Sequence, residues 1–218
     1  NRMAEAPMSG SVATYRLRSG EELQLTVTLH LSSDSEVDAD IANCLYAGLM
    51  TDTGGFRHSN TTKIVFDTAA ALVGHGADPA RVSNRIYDTN TLERMRLMGC
   101  VLYEKLQVLE EYRTAYIALR IDDLKRFSSQ TGDTEGLVNF GLSVKGVKLA
   151  VLISERKDSI KLSFRSLNDF SVNDFARKHF EGGGHRNAAG GQTDLNFDET
   201  LKKFLDLLPL YKNELLAD

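Results

Sequence analysis

The residues best suited to binding a phosphate lie in one glycine-rich stretch, Gly182 to Gly191. It opens with three glycines, Gly182-Gly183-Gly184, and continues directly to His185. Because successive glycines lack Cβ atoms, a phosphate can approach their backbone N–H groups while the imidazole is aimed at it. A lone glycine triplet is equally typical of a flexible surface loop, so the stretch needs support from other residues.

A second set of phosphate-binding side chains lies about twenty residues upstream, at Ser163, Arg165 and Ser166. An arginine guanidinium binds a phosphate through two parallel hydrogen bonds, and serine hydroxyls add further donors. In isolation, Arg165 would be interpreted as a solvated charge at a strand edge. His185 alone would be interpreted as a helix-terminal cap or as a hydrogen-bonded core histidine.

Asp52 is the candidate for metal chemistry. Its carboxylate offers the hard oxygen ligands that Mg²⁺ and Mn²⁺ prefer. One carboxylate does not make a metal site, however, and an aspartate before Thr53-Gly54-Gly55 is also typical of a turn in which the side chain binds the following backbone.

Four segments, in order along the chain, resemble the motifs of one family. The stretch Gly182 to Gly191 resembles the GGGH-x-x-A-A-G-G signature of the DHH-associated domain of DHH-family phosphoesterases. Lys161 to Ser166 is similar to that domain's S-x-R-S strand, and Asp133 to Asn139 to its D-x-E-G-hydrophobic segment. Leu45 to Phe56 resembles the last metal-ligand motif of the DHH catalytic domain. The most similar branch degrades very short RNA oligonucleotides and dephosphorylates the adenosine bisphosphate pAp.

This resemblance implies a role for each candidate residue. The counterpart of Asp52 joins a cluster of histidines and aspartates that binds two divalent ions, with Mn²⁺ expected ahead of Mg²⁺, so Asp52 is the predicted metal ligand and catalytic residue. The predicted substrate-binding residues are Ser163, Arg165, Ser166, Gly182, Gly183, Gly184 and His185. The implied activity of the intact parent protein is metal-dependent hydrolysis of short single-stranded RNA or of pAp, in a cleft between two lobes.

The chain departs from the family pattern in its N-terminal part. The family's Asp-x-Asp and Asp-His-His motifs do not appear in recognisable form: Asp38-Ala39-Asp40 has the first spacing but directly precedes the Asp52 motif, and His30 stands alone. We therefore expect that part of the catalytic domain is missing and that the chain by itself neither assembles two metals nor hydrolyses substrate. Two alternatives stay open: a nucleotide or short-RNA binding module without catalysis, and a cyclic-dinucleotide phosphodiesterase.

The composition of the chain indicates which substrates and partners it could bind. The net charge of -4 over 218 residues provides no basic field for gripping long duplexes, so any nucleic acid contact should be local. Cys44 and Cys100 offer no disulfide framework and are predicted to be buried thiols. We find no transmembrane or signal pattern, and predict a soluble cytoplasmic protein without a membrane partner. The sequence does not set the oligomeric state.

The helices and strands that the sequence predicts indicate a two-lobed α/β protein, and these elements must position the candidate residues. Residues 1–89 are assigned to a partial DHH phosphoesterase domain, 90–110 to a connecting helix and 111–218 to the DHH-associated domain. Apolar spacing predicts a helix from Asp40 to Met50, with Asp52 just beyond its end, and a helix through the stripe from Leu92 to Leu109.

In the C-terminal part, apolar runs predict four strands and two helices. The predicted strands are Thr114–Ile121, Leu142–Val144, Lys148–Ile153 and Ser159–Ser166. The predicted helices are Val172–Phe180 and Asp198–Leu208, on either side of the glycine-rich stretch.

Overall fold

The computed structural model describes residues 12–16, 22–26, 37–58 and 60–217. The chain divides into two compact units, an N-terminal unit of Asn1–Thr89 and a C-terminal unit of Asn90–Asp218. The predicted α/β class is confirmed by the mixture of helices and a mixed sheet. The assignment of residues 1–89 to a partial DHH domain stays a prediction. No helix in the described part of the chain is long and apolar enough to span a membrane.

The N-terminal unit combines a two-stranded antiparallel ribbon with a helical part. Its elements are β1 (Val12–Arg16), β2 (Glu22–Thr26), α1 (Ala39–Asp52), α2 (Lys63–Gly74) and α3 (Pro79–Tyr87). The helices share a small core of Ala42, Tyr46, Met50, Leu72, Ala77 and Val82. His30 lies outside the described residues.

Helix α1 begins where the sequence predicts. The side chain of Asp38 accepts a hydrogen bond of 2.8 Å from the backbone N–H of Ile41, which satisfies one of the free amides of the first turn. Asp52 is the last residue of this helix rather than the first beyond it. Cys44 on α1 is exposed, so the prediction of two buried thiols is correct only for Cys100.

The C-terminal unit alternates helices and strands. It begins with α4 (Leu92–Cys100), a π-helical turn (Val101–Lys105), β3 (Leu106–Leu109), β4 (Thr114–Leu119), α5 (Ile121–Arg126) and α6 (Leu137–Leu142). It continues with β5 (Leu149–Glu155), β6 (Ile160–Ser166), α7 (Val172–His179), β7 (Gly183–His185), β8 (Ala188–Thr193), α8 (Phe197–Leu207) and α9 (Lys212–Leu216).

The strands of this unit form one six-stranded sheet in the order β3-β4-β5-β6-β8-β7. Strands β4 and β5 are parallel, and the remaining neighbours are antiparallel. Each face of the sheet has its own core. On the first face, α7 and α8 pack through Phe175 and Phe204 against apolar residues of β5 and β6, including Val151 and Phe164.

On the second face, the apolar core covers β4 and β5 and does not extend to β6 or β8. Its buried members are Leu97, Val101, Ile117, Leu119, Leu124, Leu137, Val138, Ala150 and Leu152. Helix α6 lies close to this face, because a Cβ added to Gly141 would stand 3.3 Å from the Cβ atoms of both Ala115 and Ala150. Beyond β5, the second face is polar and partly exposed.

Two predicted elements are wrong in part. The helix predicted through Leu109 ends with the π-helical turn, and Leu106–Leu109 forms strand β3, because pairing with β4 extends the sheet by one strand. The strand predicted at Leu142–Val144 is the end of α6 and a turn. A run of three residues is too short to separate a strand from a helix end by its periodicity.

Candidate phosphate-binding site

The predicted phosphate-binding residues of strand β6 lie on two different faces of the sheet. Ser163 and Arg165 are two residues apart, so their side chains point to the same face. Both are partly exposed, whereas Phe164 between them is buried in the core under α7. The structure therefore brings Ser163 and Arg165 together on the second, open face of the sheet.

Ser166 does not lie on this face of the sheet, and its role in substrate binding stays a prediction. It is 4 % exposed, and its hydroxyl donates to the carbonyl oxygen of Phe170 at 2.7 Å. The amide of Asn187 donates to the same hydroxyl oxygen at 2.9 Å. With both interactions made inside the protein, Ser166 fixes the turn after β7.

The open part of the second face is a shelf of small and polar residues. We call it the open shelf and define it as the outward-facing residues of β6 and β8, namely Lys161, Ser163, Arg165, Ala188, Gly190 and Gln192. The register sets Lys161 opposite Gln192, Ser163 opposite Gly190 and Arg165 opposite Ala188. Residues directly opposite in an antiparallel pair share a face, so these three pairs form three successive rows.

Arg165 is the electrostatic centre of the open shelf. One guanidinium nitrogen donates to the carbonyl oxygen of Phe164 at 2.9 Å, and no carboxylate among the described residues pairs with the cation. Partial burial lowers the pKa of the guanidinium from its ordinary value, although an arginine still keeps its charge at neutral pH. A partly desolvated cation without a counter-charge favours an anionic ligand.

His185 lies in the same row as Arg165. It is opposite Ala188, which is in turn opposite Arg165, so the row reads Arg165, Ala188, His185 from β6 to β7. Adjacent strands are separated by about 4.8 Å, which puts the Cα atoms of the two basic residues about 10 Å apart with only a methyl group between them. His185 is exposed, and its imidazole makes no hydrogen bond with the residues that the structure describes.

The glycine triplet is the edge strand β7 rather than a loop that wraps a phosphate. A Cβ on Gly182 would stand 2.2 Å from the carbonyl oxygen of Gly190, and one on Gly184 would stand 2.6 Å from that of Ala188. The N–H of Gly184 donates to the side-chain oxygen of Asn173 at 2.9 Å, so this amide is already hydrogen-bonded within the protein. Close approach of the β7 and β8 backbones therefore accounts for Gly182 and Gly184 being glycine, and their contact with a phosphate stays a prediction.

Helix α7 holds the β7–β8 turn in place. Asn173 accepts from Gly184, as described, and its side-chain oxygen also accepts from Arg177 Nε at 3.1 Å. The carbonyl oxygen of Arg186 accepts from the backbone N–H of Val172 at 2.7 Å. The side chain of Arg186 pairs with Asp169 at 2.9 Å. These contacts fix the backbone on both sides of His185.

The Asp133 to Asn139 segment shapes the fold rather than the site. Asp133 accepts from the backbone N–H of Gln130 at 2.6 Å, and Arg94 donates to the carbonyl oxygens of Gly132 and Glu135 at 2.9 and 3.0 Å. Gly136 precedes α6 with a φ of 78°, a conformation that favours glycine. The segment thus sets α6 on the sheet.

Asp52, in the N-terminal unit, is exposed at the end of α1. Asn60 donates to its carboxylate oxygen Oδ2 at 3.0 Å and to its backbone carbonyl at 3.4 Å. The turn that follows contains three successive residues with positive φ, at Gly54, Gly55 and Phe56. Phe56 stacks on Phe66 with ring centroids 5.7 Å apart and packs against the small core of the helices.

The described residues do not fit a two-metal centre by themselves. Among residues 37–58 and 60–217, no group of three or more histidine, cysteine, aspartate or glutamate side chains is placed to hold a metal ion. The carboxylate of Asp52 accepts a hydrogen bond from the side-chain amide of Asn60. Asp52 is therefore the one hard anionic ligand that this turn offers to a metal ion.

Sequence reasoning missed several residues that the structure brings to these sites. Lys161, Gly190 and Gln192 lie on the open shelf, and Asn60 and Asn173 hold Asp52 and Gly184. The signal for Lys161 is present in the alternation Lys161, Ser163, Arg165, because every second residue of a strand shares one face. Asn60 and Asn173 carry no comparable signal, since both act through contacts that only the folded chain reveals.

Comparisons with known proteins agree with this geometry. Residues 113–211 match the family described as the DHHA1 domain. The chain is 31% identical over 172 residues to "Bifunctional oligoribonuclease and PAP phosphatase NrnA" of Thermus thermophilus, covering 78% of this chain and 51% of the relative. It is 29% identical over 177 residues to the protein of the same name of Bacillus subtilis, covering 81% and 55%.

A solved structure shows the same likeness. The crystal structure of an exopolyphosphatase-related protein from Bacteroides fragilis matches with a TM-score of 0.80 and 35% identity, over 83% of this chain and 53% of that chain. The chain thus spans about half the length of the relatives that it matches.

The residues that match the DHHA1 domain family, 113–211, include the open shelf and the glycine strand. The chain is homologous to DHH-family phosphoesterases, and among them to the oligoribonuclease and PAP phosphatase NrnA proteins, which confirms the resemblance of its motifs.

Proposed function

We propose that the chain is part of a metal-dependent phosphoesterase that hydrolyses short single-stranded RNA, pAp or both. The observation that carries this proposal is the open shelf, where the Arg165 guanidinium is partly desolvated, has no carboxylate partner among the described residues, and shares a cross-strand row with His185. The relatives named as oligoribonuclease and PAP phosphatase act on ligands whose shared feature is a phosphate on a nucleoside.

Within this proposal, the C-terminal unit holds the substrate. Arg165 forks onto a phosphate, Ser163 donates its hydroxyl from the neighbouring row, and His185 donates from its ring across the methyl group of Ala188. Gly190 leaves the β8 position of the middle row without a side chain, so the ligand can approach the sheet backbone beside Ser163. Ser166, Gly182 and Gly184 maintain the geometry of the site.

Asp52 is proposed as one ligand of a divalent metal pair, with Mn²⁺ ahead of Mg²⁺. When bound, such ions activate a water molecule and neutralise phosphoryl charge. Asn60 fixes one carboxylate oxygen of Asp52 and leaves the other free to bind. We further propose a cytoplasmic location and a substrate of a few nucleotides, since the net charge of -4 does not favour a long polyanion.

A nucleotide or short-RNA binding module without catalysis is the second candidate. The observation that favours it is the lack, among the described residues, of a group of three side chains able to hold a metal. Both candidates require the same phosphate site on β6 and β7, and they differ in whether the bound substrate is hydrolysed.

Binding calorimetry on two single variants and their double variant tests the phosphate site. Arg165→Ala and His185→Ala should each weaken binding of a nonhydrolysable 5′-phosphorylated dinucleotide by about 1 to 3 kcal/mol, the range of charged hydrogen bonds. Because the two side chains would share one phosphate, the double variant should lose less than the sum of the single losses.

Lys202→Ala is the matched control, because Lys202 is an exposed cation on α8, which packs on the opposite face of the sheet. It should bind as the unmodified chain does. If both single variants also bind normally, or if their losses simply add, the shared phosphate site is wrong.

A further inference from the structure

Lys161 extends the cationic surface of the open shelf along strand β6. It is four residues before Arg165 and shares its face, with Ser163 halfway between them. At about 3.3 Å per residue the Cα atoms of the two cations are about 13 Å apart. Both side chains are long, so their charged ends can approach to the separation of neighbouring phosphates in an extended single strand.

Lys161 has no partner that would explain its position. Its ammonium group makes no hydrogen bond or ion pair with any residue that the structure describes, and the side chain is exposed. Its cross-strand neighbour is Gln192, and the backbone of Gln192 is hydrogen-bonded in both directions to Glu181 at the end of this row. Lys161 is therefore at the β6 end of this row, with Gln192 between it and Glu181.

The row between the two cations is bare at its centre. It consists of Ser163, Gly190 and Gly183, and a Cβ on Gly190 would meet nothing nearer than the carbonyl oxygen of Leu162 at 3.8 Å, whereas one on Gly183 would stand 3.4 Å from Arg177 Nε. The backbone φ of Gly190 is also not positive. Neither packing nor backbone conformation requires a glycine there, which leaves room above the sheet for a sugar or base as the reason for it.

We propose that Lys161 binds a third phosphate, so that the DHHA1 domain distinguishes an oligonucleotide from pAp. This inference rests on the proposed function, in which one phosphate lies at the reacting centre and the next at Arg165. A nucleoside bisphosphate such as pAp has no further phosphate. A 5′-phosphorylated trinucleotide has one more, and the bare row carries the nucleoside that links it to the phosphate on Arg165.

The test is calorimetry with the 218-residue chain in a metal-free buffer containing a chelator, so that binding is measured without hydrolysis. The two probes are pAp and 5′-phosphorylated triadenylate. Lys161→Ala should weaken binding of the trinucleotide by about fivefold, as expected for one exposed charge contact, and change binding of pAp by less than about twofold. The slope of log K against log salt for the trinucleotide should fall by about 0.7, the value for one phosphate contact to a single strand.

Two further variants make the outcome specific. Lys161→Arg keeps the charge and should bind both probes as the unmodified chain does, and Lys202→Ala should likewise leave both unchanged. If Lys161→Ala weakens pAp and trinucleotide equally, or weakens neither while Arg165→Ala weakens both, the third-phosphate site is wrong and the proposed function stands. If Arg165→Ala weakens neither probe, the phosphate site fails and this inference fails with it.

Discussion

At the scale of single residues, two glycines of one motif have opposite reasons to be glycine. Gly184 has a φ of 153° and its added Cβ would stand 2.6 Å from the carbonyl oxygen of Ala188, so the backbone itself excludes a side chain. Gly190, six residues later, has open space around its added Cβ. The same signature therefore contains one residue required by the fold and one available to a ligand.

This difference gives a matched pair of substitutions. Gly184→Ala should destabilise the chain by about 1 to 3 kcal/mol, the usual cost of forcing a side chain onto strained or overpacked backbone. Gly190→Val should leave the free energy of unfolding nearly unchanged, because a β-branched residue suits a strand and no neighbouring atom blocks it. It should nevertheless weaken nucleotide binding, since its methyl groups would occupy the middle row of the shelf.

Chemical denaturation and calorimetry separate the two effects. The result that would contradict this account is a Gly190→Val variant that is fully stable and binds a 5′-phosphorylated dinucleotide as well as the unmodified chain. A Gly184→Ala variant of unchanged stability would contradict the close approach of β7 and β8.

At the scale of elements, His179 at the end of α7 couples this helix to the segment after α8. Its Nε2 is 2.6 Å from the hydroxyl oxygen of Tyr211, and its ring packs 5.2 Å from that of Phe175. Burial lowers the pKa of the imidazole, and the nearby charges of Lys178 and Lys203 lower it further. The packing of His179 thus includes a titratable contact.

The direction of this pKa shift sets a pH dependence. The unfolded chain protonates His179 first, near its ordinary pKa of about 6.5, while the folded chain resists protonation. The stabilising contribution is therefore present above that pH and is lost as the pH falls from about 7 towards the lower, folded-state pKa. The slope for one proton is at most about 1.4 kcal/mol per pH unit, and partial exposure of the ring reduces it.

Denaturant unfolding at several pH values checks this prediction against a His179→Gln variant. The unfolding free energies of the two proteins should converge as the pH falls from 8 to 5, whereas Tyr211→Phe, which keeps the histidine, should retain the slope. A constant difference between the unmodified chain and His179→Gln across that range would contradict the assignment.

The elements also show what a sequence can predict. Strands β4, β5 and β6 and helices α1, α7 and α8 are predicted to within a few residues, because each has an apolar period that only one type of structure satisfies. Strand β3 is missed since its stripe continues that of α4, and only pairing with β4 reveals it. Ser166 was assigned to the site from a motif, although the period of two puts it on the face opposite Arg165.

At the scale of the whole molecule, the residues proposed for phosphate binding and for metal binding belong to different units. The proposed phosphate-binding residues lie on β6, β7 and β8 of the C-terminal unit, and the DHHA1 match covers the same region. Asp52 belongs to the N-terminal unit, and among the described residues no group of three or more histidine, cysteine, aspartate or glutamate side chains is placed to hold a metal ion. Binding and hydrolysis should therefore be separable in this chain.

The last prediction concerns that separation. The 218-residue chain should bind a 5′-phosphorylated dinucleotide but show little or no hydrolysis of short oligoribonucleotides or pAp with Mn²⁺, because one carboxylate cannot organise two metal ions.

In a longer parent protein with a complete ligand set, Asp52→Asn should lower the catalytic rate by several orders of magnitude while the thermal transition is retained, since the amide keeps the size of the side chain and removes its charge. Chromatographic product analysis with Mn²⁺, Mg²⁺ and excess chelator is the measurement, with Asp67→Asn as the control, because Asp67 is an exposed carboxylate on α2 paired with Lys63. Rapid, chelator-sensitive turnover by the 218-residue chain would show that its own residues complete the metal centre, and unchanged kinetics for Asp52→Asn would return Asp52 to the role of a turn residue.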